Sequence, residues 1–239
     1  MNNRIRTLIL LMVSPVIYLQ VVAQTLEHPV FSEKTHPTLY IDSIVHTQMV
    51  SVFHMSVVNQ LNEGDAWFCA DENIIIQNIE ENYQVKLFRT EGIPVCPEMH
   101  HFKKVGESLN FKLFFPRIPD DISSVDLIEN CEDNCFKISE IILDPVLNAD
   151  IKKFEEAVLY YRQDNGEQAL SHFIELTEAD SQLDDQYLSL IYYIIPVIYL
   201  EEGKDKKAIE WFEKLNNSDF SFKDTMIAKL RENPFFLDL

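Results

Sequence analysis

Glycines and basic residues are both scarce in this chain of 239 residues. Only five glycines occur, too few to favour a phosphate-cradling loop, and the sequence has no His-Glu-x2-His or Gly-x-Ser-x-Gly motif. The 20 Lys and Arg residues are outnumbered by 39 Asp and Glu residues, which gives a net charge of −19. A chain this acidic repels phosphate backbones. We therefore predict that the protein binds no nucleic acid, carries no cofactor or metal, and is not an enzyme.

Cysteine is missing from the chain after residue 135. The four cysteines are Cys69, Cys96, Cys131 and Cys135. Their even number predicts disulfides, and four cysteines allow three pairings. We favour Cys131–Cys135, because the three residues between them resemble a hairpin loop, and Cys69–Cys96 then follows. Four buried free thiols are the alternative. The Cys-x3-Cys spacing differs from the Cys-x2-Cys redox motif, and no second pair completes a zinc site.

A long apolar run occurs at the N-terminus. Arg4 and Arg6 lie at its start, and Val21-Val22-Ala23 provides small or medium-sized side chains before a cleavage site. This pattern predicts a signal peptide over residues 1–23 and a mature chain that begins at Gln24. An uncleaved anchor is the alternative, but the run of about 18 residues is marginal for a spanning helix. We expect an exported protein, periplasmic or extracellular, with no integral membrane segment after cleavage.

Residues 38–145 have the composition and period of β-strands, after a linker predicted over residues 24–37. Short runs rich in Val, Ile and Phe are separated by turn signals. In one run, Phe111, Leu113 and Phe115 alternate and are expected on one core-facing side. About seven short strands at this spacing favour an antiparallel β-sandwich of immunoglobulin-like type.

This region also resembles a β-sandwich module of exported envelope proteins in some Gram-negative bacteria. The resembling motifs are Trp67-Phe68, Gly92-Ile93-Pro94, Phe111-x-Leu113-x-Phe115-Pro116-x-Ile118-Pro119 and Asp126-Leu127-Ile128-Glu129. The resemblance covers roughly residues 40–143. It implies a fold and a cellular setting and brings no catalytic residue with it.

After Asp144-Pro145 the hydrophobic period changes from 2 to 3.6, which predicts a helical domain over residues 148–239. Asn148 or Asp150 is the expected N-cap of the first helix. The predicted helices cover residues 151–162, 167–178, 184–201, 206–215 and 223–231. Pro196 falls inside the third, where we expect a bent, buried helix, with a kink that shapes a groove as the alternative.

The helical half resembles the tetratricopeptide repeat. The matching residues are two copies of Tyr-x8-Ala-x3-Phe: Tyr160, Ala169, Phe173 and Tyr199, Ala208, Phe212. The chain departs from the family in its period of 39, in lacking the usual Trp, and in having Pro196 where the first copy has Ala157. The resemblance implies an α+β protein whose second domain consists of stacked helical hairpins.

Stacked hairpins offer a concave face to a peptide or extended segment. We therefore predict a scaffold or assembly factor that contacts another protein through Tyr161, Tyr192 and Trp211. A glycan-binding module that uses the sandwich loops is the alternative, with exposed aromatic residues near Trp67 and His101 as its mark. An enzyme of unrecognised type would need a buried titratable cluster that spacing does not reveal.

Other polar motifs favour surface roles. Adjacent residues on a strand point to opposite faces, so His100-His101 is not a ready metal site and is interpreted as a solvated loop. Paired carboxylates stand at turns and helix ends, as solvating residues do. Calcium binding by Asp71, Glu72 or residues 129–133 would need clustered oxygens, and the EF-hand spacing is missing.

Overall fold

The computed structural model describes residues 24–62, 66–132, 134–178, 180–237 and 239. The predicted signal peptide over residues 1–23 lies outside the described residues. Within the described part of the chain, none of the helices combines the length and the apolar character that crossing a bilayer requires.

The first half is built from β-strands. In chain order they are β1 (Gln24–Glu27), β2 (Glu33–Lys34), β3 (Leu39–His46), β4 (Val50–Val58), β5 (Trp67–Phe68), β6 (Ile74–Asn78), β7 (Tyr83–Lys86), β8 (Arg89–Glu91), β9 (His100–His101), β10 (Ser108–Pro116), β11 (Ser124–Glu129) and β12 (Lys137–Ile142). One five-stranded sheet has the order β1-β3-β4-β10-β8, and the other has the order β2-β12-β11-β6-β7. Strands β5 and β9 form a separate two-stranded ribbon. Every paired strand among these is antiparallel.

Both five-stranded sheets contribute to one hydrophobic core. Phe111, Leu113 and Phe115 of β10 are all buried, which confirms the predicted core-facing alternation. The second sheet adds Ile76 and Leu127, which are fully buried. The predicted antiparallel β-structure of the N-terminal half is thereby confirmed.

Residues 24–37 are not a linker, because they contain β1 and β2. Strand β1 pairs with β3, and its Leu26 is buried opposite Ile44. Strand β2 pairs with β12 in the other sheet. Each strand is short and lies at a sheet edge, so it needs few apolar residues and leaves only a weak period-two signal in the sequence.

The second half is helical. Its elements are α1 (Pro145–Arg162), α2 (Gly166–Glu175), α3 (Asp185–Glu201), α4 (Asp205–Asn216), α5 (Lys223–Leu230) and a 3-10 turn over Pro234–Phe236. Helix α1 begins earlier than the predicted N-cap residues, Asn148 and Asp150. Its N-cap is Asp144, whose Oδ1 accepts hydrogen bonds from the backbone N–H groups of Val146 and Leu147 at 2.8 and 2.9 Å. Pro145 favours this start because its fixed φ suits the first helical position.

The alanines and phenylalanines of the repeated Tyr-x8-Ala-x3-Phe pattern are buried in the helical core. Ala169 and Ala208 are fully buried, and Phe173 and Phe212 are buried beside them. Alanine suits these places because a larger side chain would push packed helices apart. Pro196 is also buried, as expected for a proline inside a core helix.

The two halves share direct contacts. Val30 and Ile142 from the β-half pack against the helical core. Lys152 Nζ donates a hydrogen bond to the Glu27 carbonyl at 2.7 Å, and Asn148 Nδ2 donates one to the Ile142 carbonyl at 3.2 Å. Helix α1 is therefore anchored to the sandwich by both polar and apolar contacts.

Candidate functional site

A half-buried apolar stripe runs along helix α3. It consists of Leu190, Tyr193, Ile194 and Val197, at the i, i+3, i+4 and i+7 positions of one helix face. A neighbouring face of the same helix carries Ile191, Ile195 and Ile198, which are fully buried in the helical core. Tyr193, Ile194 and Val197 also pack against the helical core, but part of each side chain remains accessible to solvent. We call these four residues the α3 stripe.

Carboxylates flank the two ends of the α3 stripe. At its C-terminal end, Tyr161 Oη donates a hydrogen bond to Glu201 Oε1 at 3.2 Å. Burial, together with the charges of Glu201 and Asp164, raises the pKa of Tyr161 to about 12. At the N-terminal end, burial and then the charges of Asp184 and Glu155 raise the pKa of Tyr187. Both tyrosines therefore stay neutral hydrogen-bond donors in a negative field.

The three predicted contact residues do not form one surface. Tyr161 lies at the end of the α3 stripe, whereas Tyr192 packs against Trp211 and Phe220 with ring centroids 5.2 and 5.1 Å apart. Tyr192 is half-buried and Trp211 is only 7% exposed. Lys214 Nζ lies 3.9 Å from the centroid of the Trp211 ring and covers it. Trp211 is therefore a core residue and not an exposed contact, because the α3–α4 contact encloses its ring.

A second region of interest is a cleft in the β-half, whose walls contain both disulfides. Cys69 is bonded to Cys96, and Cys131 to Cys135, which is the favoured pairing. The cleft has a volume of about 600 Å³, and we call it the disulfide cleft. Two disulfides are typical of proteins that fold in an oxidising compartment outside the cytoplasm.

Glu129 contributes a buried carboxyl group to the disulfide cleft. Its Oε1 accepts a hydrogen bond from the Asp71 backbone N–H at 2.9 Å, and its Oε2 accepts one from the Phe136 backbone N–H at 3.3 Å. Burial raises the pKa of Glu129, and these two hydrogen bonds partly offset that rise. The side chain thus ties the loop before β6 to the start of β12 and fixes the floor of the cleft.

The β5–β9 ribbon supplies the exposed aromatic wall of the disulfide cleft. Phe68 points inward and packs against Phe111 and Phe136, with ring centroids 6.0 and 6.4 Å away. The preceding residue, Trp67, lies opposite His101 in the ribbon and is 44% exposed. Trp67 and Phe68 also line a neighbouring cavity of about 360 Å³. The Trp67 side chain is therefore accessible from both the disulfide cleft and this neighbouring cavity.

The other predicted polar motifs are placed as follows. His100 and His101 form strand β9 and not a loop, with His100 Nε2 at 3.7 Å from Glu107 Oε1. Asp71 lies beside Glu129, but both carboxylate oxygens of Glu129 accept backbone hydrogen bonds. Among the described residues, no group of three or more His, Cys, Asp or Glu side chains is arranged to hold a metal ion.

Sequence reasoning missed the α3 stripe and the convergence of the disulfides. The stripe has a sequence signal, because residues 187–200 are mostly apolar. They include more apolar side chains than one buried helix face requires. The cleft has no such signal, because Cys69 and Cys131 are brought together by the packing of different strands. Comparisons with protein-family models, with curated proteins and with solved structures find no match for this chain.

Proposed function

We propose that this protein is an exported, non-enzymatic scaffold or assembly factor that binds a polypeptide segment through its helical half. The observation that carries the proposal is the α3 stripe, an apolar helix face that packs against the helical core and remains partly accessible to solvent. In this proposal the hairpins are tetratricopeptide-like, the sandwich is immunoglobulin-like, and the setting is a bacterial envelope.

The shape and chemistry of the face suit a peptide. Four apolar residues spaced along one helix face span about 10 Å, since each residue adds about 1.5 Å of rise. A peptide segment with two or three apolar side chains can cover that length in an extended or helical form. Burial of each such side chain contributes roughly 1.5–3 kcal/mol before the cost of ordering the peptide.

The charge around the face specifies the partner further. Glu201 and Asp164 lie near Tyr161 at one end, and Asp184 and Glu155 lie near Tyr187 at the other. The whole chain carries a net charge of −19. A negative surface accelerates association with a basic partner and repels an acidic one. The proposed partner segment therefore combines apolar residues with Lys or Arg.

The test has two stages and uses the mature chain from Gln24 to Leu239. Affinity purification from envelope extract supplies partner candidates, and basic, apolar segments of those partners are synthesised as peptides. Calorimetry then measures binding to wild type, to Ile194→Lys on the α3 stripe, and to Phe222→Lys. Phe222 is a matched control, because it is an exposed apolar residue of the same half.

We expect one peptide site per chain, with affinity that falls as salt is raised. Ile194→Lys should weaken binding at least about tenfold by removing an apolar contact and adding repulsion, a change of about 1.4 kcal/mol. Phe222→Lys should bind as wild type does. Equal binding by all three proteins, or a preference for acidic peptides, would refute the proposal.

A further inference from the structure

The disulfide cleft has the mixed chemistry of a site for a small polar ligand. Its apolar wall is formed by Trp67 and Met99, which are 44% and 42% exposed. Polar side chains of Thr35, His36 and Asn134 also line the cleft. Its volume of about 600 Å³ falls within the range of roughly 300–1,000 Å³ that small-molecule sites occupy.

The cleft is also held open by covalent and hydrogen-bonded supports. Cys69–Cys96 joins β5 to the segment before β9, and the Cys96 backbone N–H donates to the Ala70 carbonyl at 3.0 Å. Cys131–Cys135 closes the loop between β11 and β12 on another wall. Such supports reduce the entropy that a ligand must overcome, because the walls are already ordered.

The charge of the lining excludes anionic ligands. The lining residues that the structure describes include the acids Asp71 and Glu129 and neither Lys nor Arg. His36 adds no positive charge near neutral pH, because burial and the charge of Lys34 lower its pKa. A phosphate, a sulfate or an acidic sugar would meet a negative field here with no cation to bind it.

We infer that the disulfide cleft binds a neutral carbohydrate, with a sugar ring stacked on Trp67 and its hydroxyl groups bonded to the polar lining. One face of a pyranose ring presents C–H bonds, which suit the electron-rich face of an indole. Sugar hydroxyls both donate and accept, so Asp71 can accept from them while His36 and Asn134 can do either. The neighbouring cavity of about 360 Å³ continues past Trp67 and gives room for the next sugar of a chain.

This inference does not rest on the proposed peptide site, since the two sites lie in different halves. The test uses the mature chain with its disulfides intact and a set of neutral tetrasaccharides: cellotetraose, mannotetraose and N-acetylchitotetraose. Tetragalacturonate is the anionic counterpart. Calorimetry measures binding to wild type, Trp67→Ala, Asp71→Asn and Phe88→Ala. Phe88 is the matched control, an aromatic residue that is 56% exposed and lines neither cavity.

We expect saturable binding of at least one neutral tetrasaccharide and none of tetragalacturonate. Trp67→Ala should weaken that binding at least about tenfold, the effect of losing an aromatic contact of about 1.4 kcal/mol. Asp71→Asn should weaken it several-fold while keeping an oxygen for the Asn73 backbone N–H, which makes it the second variant if Trp67→Ala misfolds. Phe88→Ala should bind as wild type does.

Three results would overturn the inference. They are no saturable binding of any neutral tetrasaccharide by wild type, preferred binding of the anionic tetramer, and unchanged affinity in folded Trp67→Ala. Loss of peptide binding in Ile194→Lys with sugar binding intact would leave this inference standing, so the two proposals fail separately.

Discussion

Trp67 and Phe68 show how two neighbouring residues on a strand take different roles. Strand geometry sends adjacent side chains to opposite faces, so Phe68 enters the core while Trp67 remains 44% exposed. The buried ring fixes the ribbon, and the exposed ring is thereby held in place beside the disulfide cleft. A Trp on a free loop would have to lose more conformational entropy on binding a ligand.

Gly92 is required by the backbone at the end of β8. Its φ is +81°, and a Cβ placed there would lie 2.8 Å from the Asn110 carbonyl oxygen. We predict that Gly92→Ala lowers the free energy of unfolding by about 2–3 kcal/mol, from left-handed strain plus a backbone clash. Urea denaturation measures the change. Gly106→Ala is the control, because its φ is +77° with nothing within 4 Å, and it should cost only about 1 kcal/mol. Equal losses in both variants would contradict this account.

The buried carboxyl of Glu129 makes a pH-dependent contribution to stability. Burial raises its pKa above the ordinary value of 4.5, so the folded protein binds this proton more tightly than the unfolded chain. The contribution is therefore greatest below pH 4.5 and decreases as the pH rises through the folded pKa. We predict that the free energy of unfolding of wild type minus that of Glu129→Gln decreases over this window.

Denaturation at a series of pH values measures that difference. Glu107→Gln is the control of opposite sign, because a hydrogen bond from the Lys103 backbone lowers the pKa of Glu107. Its contribution is present above the ordinary pKa and is lost as the pH falls through the folded pKa. A Glu129 difference that is flat with pH, or that increases, would show that the carboxyl is not desolvated.

At the scale of elements, the two disulfides support loops of very different length. Cys69–Cys96 spans 27 residues and Cys131–Cys135 spans 4. In the chain-entropy model the longer loop stabilises the fold by about 3.5 kcal/mol and the shorter by about 2 kcal/mol. We predict losses of these sizes in the double variants Cys69→Ala/Cys96→Ala and Cys131→Ala/Cys135→Ala, measured by urea denaturation. The reverse order of the two losses would show that native packing, and not loop entropy, dominates.

Sequence patterns predicted whether a segment is a strand or a helix better than they predicted where a helix begins or which side chains are buried. The change of period after Asp144 separated strands from helices, and Asp184 lies at the start of α3 as expected. The predicted N-cap of α1, Asn148 or Asp150, was wrong. The N-cap is Asp144, because Pro145 favours a helix start about one turn earlier. Trp211, which was predicted as a contact residue, is buried, because the tertiary fold and not the helical period places neighbours such as Tyr192 against its ring.

The candidate sites show the same limit. The pairing of the four cysteines was predicted from a short loop, Glu132-Asp133-Asn134, which is a local feature. That both pairs line one cleft depends on how strands distant in sequence pack, and no local pattern encodes it. The α3 stripe is an intermediate case. The sequence shows that this helix has many apolar residues, but it does not show which of them remain accessible to solvent.

At the scale of the whole molecule, the helices pack directly against the sandwich and are not joined to it by the chain connection alone. Val30 lies between β1 and β2 of the β-half, yet it packs against the helical core. Its carbonyl also accepts a hydrogen bond from the Ile142 backbone N–H at 2.9 Å. The two proposed binding sites therefore belong to one connected framework, with separate chemistry in each half.

The pairing of β2 with β12 has a consequence for the order of folding. Lys34 lies opposite Ile138, so the edge of the second sheet closes only after more than a hundred intervening residues are present. Closing a loop of that size is entropically costly, and such distant pairings slow folding. The helical hairpins need only near neighbours in the chain, so their formation does not depend on this pairing. During synthesis β2 emerges long before its partner β12. The chain therefore passes through a stage at which β2 is still unpaired.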